Sequence, residues 1–321
     1  MLARAWTDRR IRHLREMAGV AGKSAGEPVI ASMGSTAPPN VEEPFFIRDH
    51  IVCDGAQVTR PSIDPYREPV STYVYLPGLG IRLSQPLILT VYPEYPPPVA
   101  RAFVRAAYNH GLLVYIRGRR LEDYVGGYAE RILADISYLG AAGGFWTVSD
   151  SLDTHPQILL QPSKASHEYV SSAGFQNVCG VIVDEDAYGS DTPIEVSVSL
   201  LDRTLKQRGL RDRVALIASS RHVRGSDDIF KLVGLGADAV SIGDAAVIAA
   251  DCLEHQLDED TIYERVENLI LAIQKEVKLL AGAAGVSRIF STLVGNRELF
   301  RSIGLRSDLR LMLGVKQAGV G

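Results

Sequence analysis

The sequence predicts an α/β protein built on a (β/α)8 TIM barrel, with an irregular N-terminal arm and a C-terminal helical extension. Three observations predict it. From residue 86 onward short apolar runs alternate with amphipathic stretches, as parallel strands joined by crossover helices do. The strand runs are apolar throughout rather than alternating, so both their faces are covered. No GxGxxG follows the first run, which argues against an open doubly wound sheet, and Gly-containing turns gather toward the C-terminal end.

Taken in order, residues 5 to 18 form a short basic helix, and residues 19 to 85 carry too many Gly and Pro for long helices. That stretch is expected to be an arm wrapped over the following domain, because Phe45, Phe46, Ile47, Ile51 and Val52 need burial. PLILTVY (86–92) is a buried strand, VARAFVRAAYNHG (99–111) a helix closed by glycine, and LLVYI (112–116) a second strand. LEDYVGGYAERILADISYL is ambiguous, its ILADISY end reading also as a strand. GFWTVSD and QILLQ are short strands, SKASHEYVSSAGF a helix and CGVIVDE a strand. IEVSVSLLDRTLKQRGL is a long helix, and VALIA, DDIFKLVGLG and ADAVSIG complete two more units. About seven strands result. Residues 261 to 300 read as helical, and the tail after Leu305 as a poorly anchored end. The expected division is an arm over 1–85, the barrel over 86–255 and the extension over 256–321.

A chain of 321 residues buries enough surface to need no staple. Its hydrophobic content of 46%, charged content of 22% and net charge of −4 describe an ordinary globular protein, with no bias toward nucleic acid or an acidic membrane. Cys53, Cys179 and Cys252 are far apart and odd in number, and no Cys/His spacing suggests a metal site. The basic start lacks the apolar segment of a secretory signal, and no apolar run is long enough to span a bilayer; a cytoplasmic protein is expected.

Several motifs together carry a resemblance. They are Gly22-Lys23, Met33-Gly34-Ser35, Tyr66-Arg67-Glu68-Pro69-Val70, GLRDRVALIAS (209–219), LGLGADAVSIGDAAVIAADC and EVKLLAGAAGVSRIFSTLVGNRELF (276–300). This combination resembles the FMN-binding domain of glutamate synthase, in its archaeal and short bacterial forms, over residues 20 to 300. The resemblance implies a TIM barrel. It also implies a flavin phosphate held by a Gly-Gly turn and a strand-end glycine pair, where backbone N–H groups approach closely.

At those positions this chain departs from the family. Ser219, Ser220 and Arg221 stand where Asp-Gly-Gly is expected; Ser241 and Asp244, flanking Gly243, replace a glycine and a threonine. Side chains at the first turn resist positive φ and add bulk, and a carboxylate at the second repels a dianion. The residues Ser219, Ser220, Arg221, Gly243 and Asp244 thus read as a degenerate phosphate site. An Arg221–Asp244 bridge would fill it; alternatively Ser219, Arg221, His222 and Arg224 form a different anion site. The family's Gln-Gly-Ala-Lys-Pro-Gly loop becomes Leu139-Gly140-Ala141-Ala142-Gly143-Gly144. Its strand lysine falls in Ile158-Leu159-Leu160-Gln161, with Lys164 several residues late. Tyr92-Pro93-Glu94-Tyr95 and Arg117-Gly118-Arg119-Arg120 replace two further glycine turns, and Glu185-Asp186-Ala187-Tyr188-Gly189-Ser190-Asp191 a third. Arg117, Arg119, Arg120 and Arg224 could grip an anion or be solvated charge, and Asp184, Glu185, Asp186 and Asp191 read more readily as a solvated loop than as a cation site. Tyr92, Tyr95, Tyr108 and Tyr115 are expected to crowd the barrel mouth. Of the family's cysteine trio only Cys252 is kept, so no iron–sulfur cluster is expected. His110, His155, His167, His222 and His255 have no metal-site spacing.

The expectation is a non-catalytic structural or regulatory paralogue of the glutamate synthase barrel, with no catalytic residues, no metal and no cofactor. It would be a homo- or hetero-oligomer, beside a catalytic paralogue, with neither nucleic acid nor membrane as partner. Two alternatives stand: an FMN oxidoreductase with an altered phosphate grip, and a small-anion binder.

Overall fold

The computed structural model describes residues 5–21, 46–118, 128–135, 146–149, 158–160, 178–186, 192–253, 255 and 257–319. The expected helix at 163–175 and the motifs Gly22-Lys23 and Met33-Gly34-Ser35 lie outside them.

The N-terminal part supplies helix α1 (Asp8–Glu16), capped by Thr7 and continued by a π turn over Met17–Ala21. Strand β1 (Ile51–Cys53) follows, then a hairpin of β2 (Val74–Leu76) and β3 (Ile81–Leu83). The hairpin turn closes the N-terminal end of the barrel. A Cβ on Gly78 would lie 1.9 Å from the Cys179 carbonyl oxygen, so only glycine permits that approach.

The barrel strands are β4 (Leu87–Val91), β5 (Leu113–Ile116), β6 (Ile132–Asp135), β7 (Trp146–Ser149), β8 (Ile158–Leu160), β9 (Gly180–Asp184), β10 (Ala215–Ser219) and β11 (Ala239–Ile242). All neighbours are parallel, and the sheet curls until β11 pairs β4 and β9 pairs β10, in a ring. The ambiguous ILADISY stretch supplies β6, the strand beyond the expected seven.

Helix α2 (Pro97–Asn109) covers β4 and β5, α3 (Ile194–Gln207) covers β9 and β10, and α4 (Ser226–Leu235) and α5 (Asp244–Ala250) flank β11. The crossovers between β5 and β9 fall largely outside the described residues. Strands β4, β5, β9, β10 and β11 are buried on both faces, as their unbroken apolar runs require.

Helix α6 (Glu259–Ala283) packs against α2, α4 and α5, capped by Asp258. It ends at Ala283, short of the expected 300; a π turn over Ile289–Leu293 and β12 (Phe300–Ser302) follow. The N-terminal arm runs over its end, where added Cβ atoms on Gly282 and Gly285 would meet the carbonyl oxygens of Ile63 and Pro61. The tail is anchored, contrary to expectation. Helix α7 (Ser307–Leu313) is held by Ser199 Oγ donating to the Leu313 carbonyl at 2.7 Å, and Leu313 is buried. Strand β13 (Lys316–Gln317) then pairs with β12, which pairs with β1.

The shared motifs have structural work inside this frame. Arg211, of GLRDRV, bridges the buried Asp202 at 2.8 Å and Asp238 at 2.9 Å. Asp238 in turn accepts from the Leu216 N–H, tying the α3–β10 connection to the start of β11. Arg297, of LVGNRELF, reaches Asp202 at 2.8 Å and the Leu235 carbonyl at the end of α4. Among the described residues no helix is long and apolar enough to cross a membrane.

Candidate functional site

The C-terminal ends of β4, β9, β10 and β11 bring together most of the singled-out residues. The turn after β10 begins Ser219-Ser220-Arg221, and the N–H groups of Arg221, His222 and Arg224, donors a bound anion could use, are engaged by the chain itself. The Arg221 N–H donates to Asp186 Oδ2 at 2.9 Å, the His222 N–H to Ser220 Oγ at 3.0 Å, and the Arg224 N–H to Asp228 Oδ2 at 2.9 Å. Asp186 Oδ2 also accepts from Tyr92 Oη at 2.9 Å and lies 3.9 Å from Arg117. One of the protein's own carboxylates therefore occupies an anion's position at this turn.

The second strand end is covered as well. A Cβ on Gly243 would stand 2.3 Å from Tyr92 Cε2, so the open face of this glycine receives a tyrosine ring. The Arg221 guanidinium lies on that ring, 3.6 Å from its centre, within cation–π range. It pairs with Glu94 at close range and with Asp244 at 3.5 Å. Tyr95 Oη donates to the same Asp244 oxygen at 2.7 Å. The expected Arg221–Asp244 bridge is thus present, with Glu94 as the nearer partner.

Burial raises the Asp244 carboxyl above its usual range, against the bond from Tyr95 and the charge of Arg221. Burial also opposes ionisation of Glu94, but the bond from Arg221 wins and lowers it. Asp184 is pushed up to about 6, because burial outweighs Arg117, whose guanidinium lies 3.3 Å away. Ser219 Oγ donates weakly to Asp184 at 3.4 Å, and Ser220 Oγ donates to Glu185 at 2.5 Å. Inside the ring, Ser241 and Thr90 share a short hydroxyl contact.

Tyr92, Tyr95 and Tyr115 are buried, whereas Tyr108 is an exposed residue of α2 whose ring meets Tyr128, 4.9 Å between centres. Tyr108 is therefore no part of the mouth.

Arg224 also corrects the sequence reading. It is buried and bound on both sides, donating from Nε to Asp228 at 2.8 Å and from its terminal nitrogens to Asp228 and Asp49. It belongs to a buried network with Arg48, whose side chain is fully buried and donates to Glu195 Oε1 and to the His222 carbonyl, each at 2.6 Å. Arg48 Nε also stands 3.1 Å from Asp228. Burial opposes ionisation of Asp228, but Arg224 and Arg48 hold its carboxyl well below the usual range. Lys231 donates to the Arg48 carbonyl at 2.9 Å. The network fastens the arm segment 46–50 to the loop after β10. Asp49 and Glu195 were missed in the sequence, though Arg224 and Asp228 stand four apart, a readable pairing signal.

Arg119, Arg120, Leu139–Gly144, Gln161, Lys164, Asp191, His155 and His167 lie outside the described residues. His110 pairs with Glu267, and the exposed His255 with Asp251. Burial pushes the Cys252 and Cys179 thiols up to about 11 and Cys53 to about 12, which disfavours the thiolate a metal or cluster needs. Among the described residues, no group of three or more His, Cys, Asp or Glu is placed to hold a metal ion.

A family profile described as a conserved region in glutamate synthase matches residues 153–258. The archaeal glutamate synthase [NADPH] of Methanocaldococcus jannaschii is 39% identical over a match covering 40% of this chain and 29% of that protein. The archaeal-type glutamate synthase [NADPH] of Thermotoga maritima is 31% identical, covering 49% of this chain and 34% of its own length. The chain thus spans about a third of the curated relatives it matches. In fold it is similar to the flavin-binding domain of baker's yeast flavocytochrome b2, with TM-score 0.56, 15% identity, and 86% and 83% of the two chains covered. A mandelate oxidase gives TM-score 0.57 at 16% identity, with 92% and 98% covered. Residues 153–258 of the barrel thus match the conserved region of glutamate synthase, and the chain is similar there to archaeal-type glutamate synthases.

Proposed function

We propose that this chain is a glutamate synthase-like barrel that does not hold FMN and acts as a structural or regulatory subunit, oligomeric and beside a catalytic paralogue. One observation carries the proposal: the Asp186 carboxylate accepts the Arg221 N–H in the turn where the family's flavin phosphate is expected. Among the described residues, a phosphate entering there meets Asp186, Asp184, Asp244 and Glu94, against Arg117 and Arg221, both already paired. The Tyr92 ring over Gly243 removes the second approach. The described residues do not fit the phosphate of FMN. Cys252, with its buried and protonated thiol, equally gives no support to an iron–sulfur cluster.

The test is a visible absorption scan of the purified protein followed by titration with FMN. The expected result is no flavin band and no uptake at micromolar FMN. Saturable uptake in that range overturns the proposal in favour of an oxidoreductase with an altered phosphate grip. The subunit role is tested separately by co-purification from the native host, where a sister barrel with intact glycine turns is expected to accompany this chain.

A further inference from the structure

The loop after β10 is held from outside the barrel by a short piece of the arm. The Phe46 ring lies against the His222 ring, 5.7 Å between centres, with the Arg48 guanidinium 3.9 Å and that of Arg224 4.9 Å from its centre. Arg48 donates to the His222 carbonyl at 2.6 Å, and Asp49 accepts from Arg224 at 3.2 Å. Asp49 also closes the arm's own turn. Its carboxylate accepts the Phe46 N–H at 3.2 Å, and its N–H donates to the Phe46 carbonyl at 3.0 Å.

The other end of the same piece is a strand of the C-terminal sheet. β1 pairs antiparallel with β12, Ile51 opposite Ser302 and Cys53 opposite Phe300. The Ile303 N–H donates to the His50 carbonyl at 2.8 Å, and His50 Nδ1 lies 2.9 Å from the Ile303 carbonyl. β12 pairs in turn with β13, where the Ala318 N–H donates to the Ser302 carbonyl at 2.9 Å. Asp49, bound to Arg224, and His50, bound to Ile303, are neighbours in sequence. Consecutive Cα atoms are about 3.8 Å apart, so the loop and β12 cannot separate without breaking one set of bonds.

The C-terminal sheet also touches the helix into which the loop runs. The Phe300 ring lies 6.1 Å from that of Phe230 on α4, and a Cβ on Gly234 would stand 2.0 Å from Phe300 Cε2. Lys231 of α4 donates to the Arg48 carbonyl at 2.9 Å. Loop, arm, β12 and α4 thus form a closed circuit of contacts, an arrangement that favours opening as one unit.

We propose that residues 46–53 are a strap through which the C-terminal sheet governs the barrel mouth. While β12 and β13 are in place the strap keeps the loop after β10 closed, and loosening of the sheet releases it. The strap acts the same way whether or not the barrel takes FMN.

Hydrogen exchange of the full-length protein tests this, with Leu313→Ala as the perturbation. Leu313 is buried at the end of α7, just before β13. The N–H groups of Arg221, His222 and Arg224 are expected to exchange at least about tenfold faster together with that of Ile303, while β4 and β5 keep their rates. In a Phe46→Leu background, where the strap loses its hold on the loop, Leu313→Ala should still quicken Ile303 but change the loop by less than about twofold. Faster exchange at Ile303 with an unchanged loop in otherwise wild-type protein overturns the proposal. So does an equal loop response with and without Phe46, which would route the effect through α3. Quickening of β4 and β5 by the same factor would mean global unfolding and rejects the strap as well. Should Leu313→Ala fail to fold, His50→Ala removes one contact to Ile303, and about threefold faster exchange in the loop is expected from it; no change there counts against the strap.

Discussion

Replacing Arg48 by methionine tests whether the arm holds the loop after β10. The guanidinium is fully buried, within 2.6 Å of Glu195, 3.1 Å of Asp228 and 2.6 Å of the His222 carbonyl. Methionine fills most of the volume but leaves Glu195 without its cation and the His222 carbonyl without that donor. Removing one partner of a buried ion pair costs about 3–5 kcal/mol, because the remaining charge is left uncompensated. With roughly 2.1 cal/mol/K of unfolding entropy per residue, a chain of this length loses about 1.5 °C of Tm per kcal/mol, so the expected fall is about 4–7 °C. Adding Glu195→Gln removes the stranded charge and is expected to recover about 1–2 kcal/mol of the loss. Differential scanning calorimetry measures both. A loss below about 1 kcal/mol for Arg48→Met, in the range of a surface pair, would refute the claim that this network fixes the loop.

Two further outcomes follow from the mouth. Gly243→Ala places a methyl against the Tyr92 ring and is expected to cost about 1–3 kcal/mol by overpacking. Combining it with Tyr92→Leu should relieve the clash, giving a cost below the sum of the single changes in denaturant unfolding; simple additivity would mean the two residues do not meet. Asp184 predicts a pH dependence. Its carboxyl rises from 3.8 to about 6 on folding, so the fold favours the neutral form, and stability declines as pH climbs from about 4 through 6. That displacement corresponds to about 3 kcal/mol. Asp184→Asn should flatten the profile in this window, with the wild-type minus variant difference in unfolding free energy measured at pH 4 and 7. An unchanged difference would place the titration elsewhere.

Much of the frame was legible because burial on both faces writes itself as an unbroken apolar run: LILTV, LVYI, GVIVD and ALIAS each became a strand. The C-terminal tail was not legible, because its anchors are backbone carbonyls. Arg203 donates to the Leu311 and Met312 carbonyls and Ser199 to that of Leu313, contacts without a side-chain signature at the receiving end. At the mouth, the sequence located Ser219 to Arg221, Gly243 and Asp244, since strand ends are fixed by the strand pattern. It did not show that Asp186 turns back onto the Arg221 N–H, a matter of loop conformation. Arg221 and Arg224 look alike in sequence, yet one lies half-covered on a tyrosine and the other is buried between two aspartates.

The motifs that carry the resemblance to glutamate synthase and the residues at the expected phosphate turn answer to different physics. Arg211, Gly236, Gly295 and Arg297 sit around Asp202 and the end of α4; a Cβ on Gly236 would lie 2.4 Å from that of Asp202. Any barrel with this packing needs them, with or without flavin, so their presence says nothing about the phosphate. The turn after β10 carries the opposite information. A turn that had merely lost its ligand would leave its N–H groups to solvent. Here those of residues 221, 222 and 224 all end on oxygens of the chain, and Arg221 is held by two carboxylates and a ring. Each of those bonds must break before an anion can enter. With buried acids such as Asp184 and Asp228 behind them, broken bonds would leave charge exposed to a dianion rather than a vacant cradle. On the proposed reading the replacement is a filled site with a barrier of its own, and reverting one residue to glycine is expected not to reopen it.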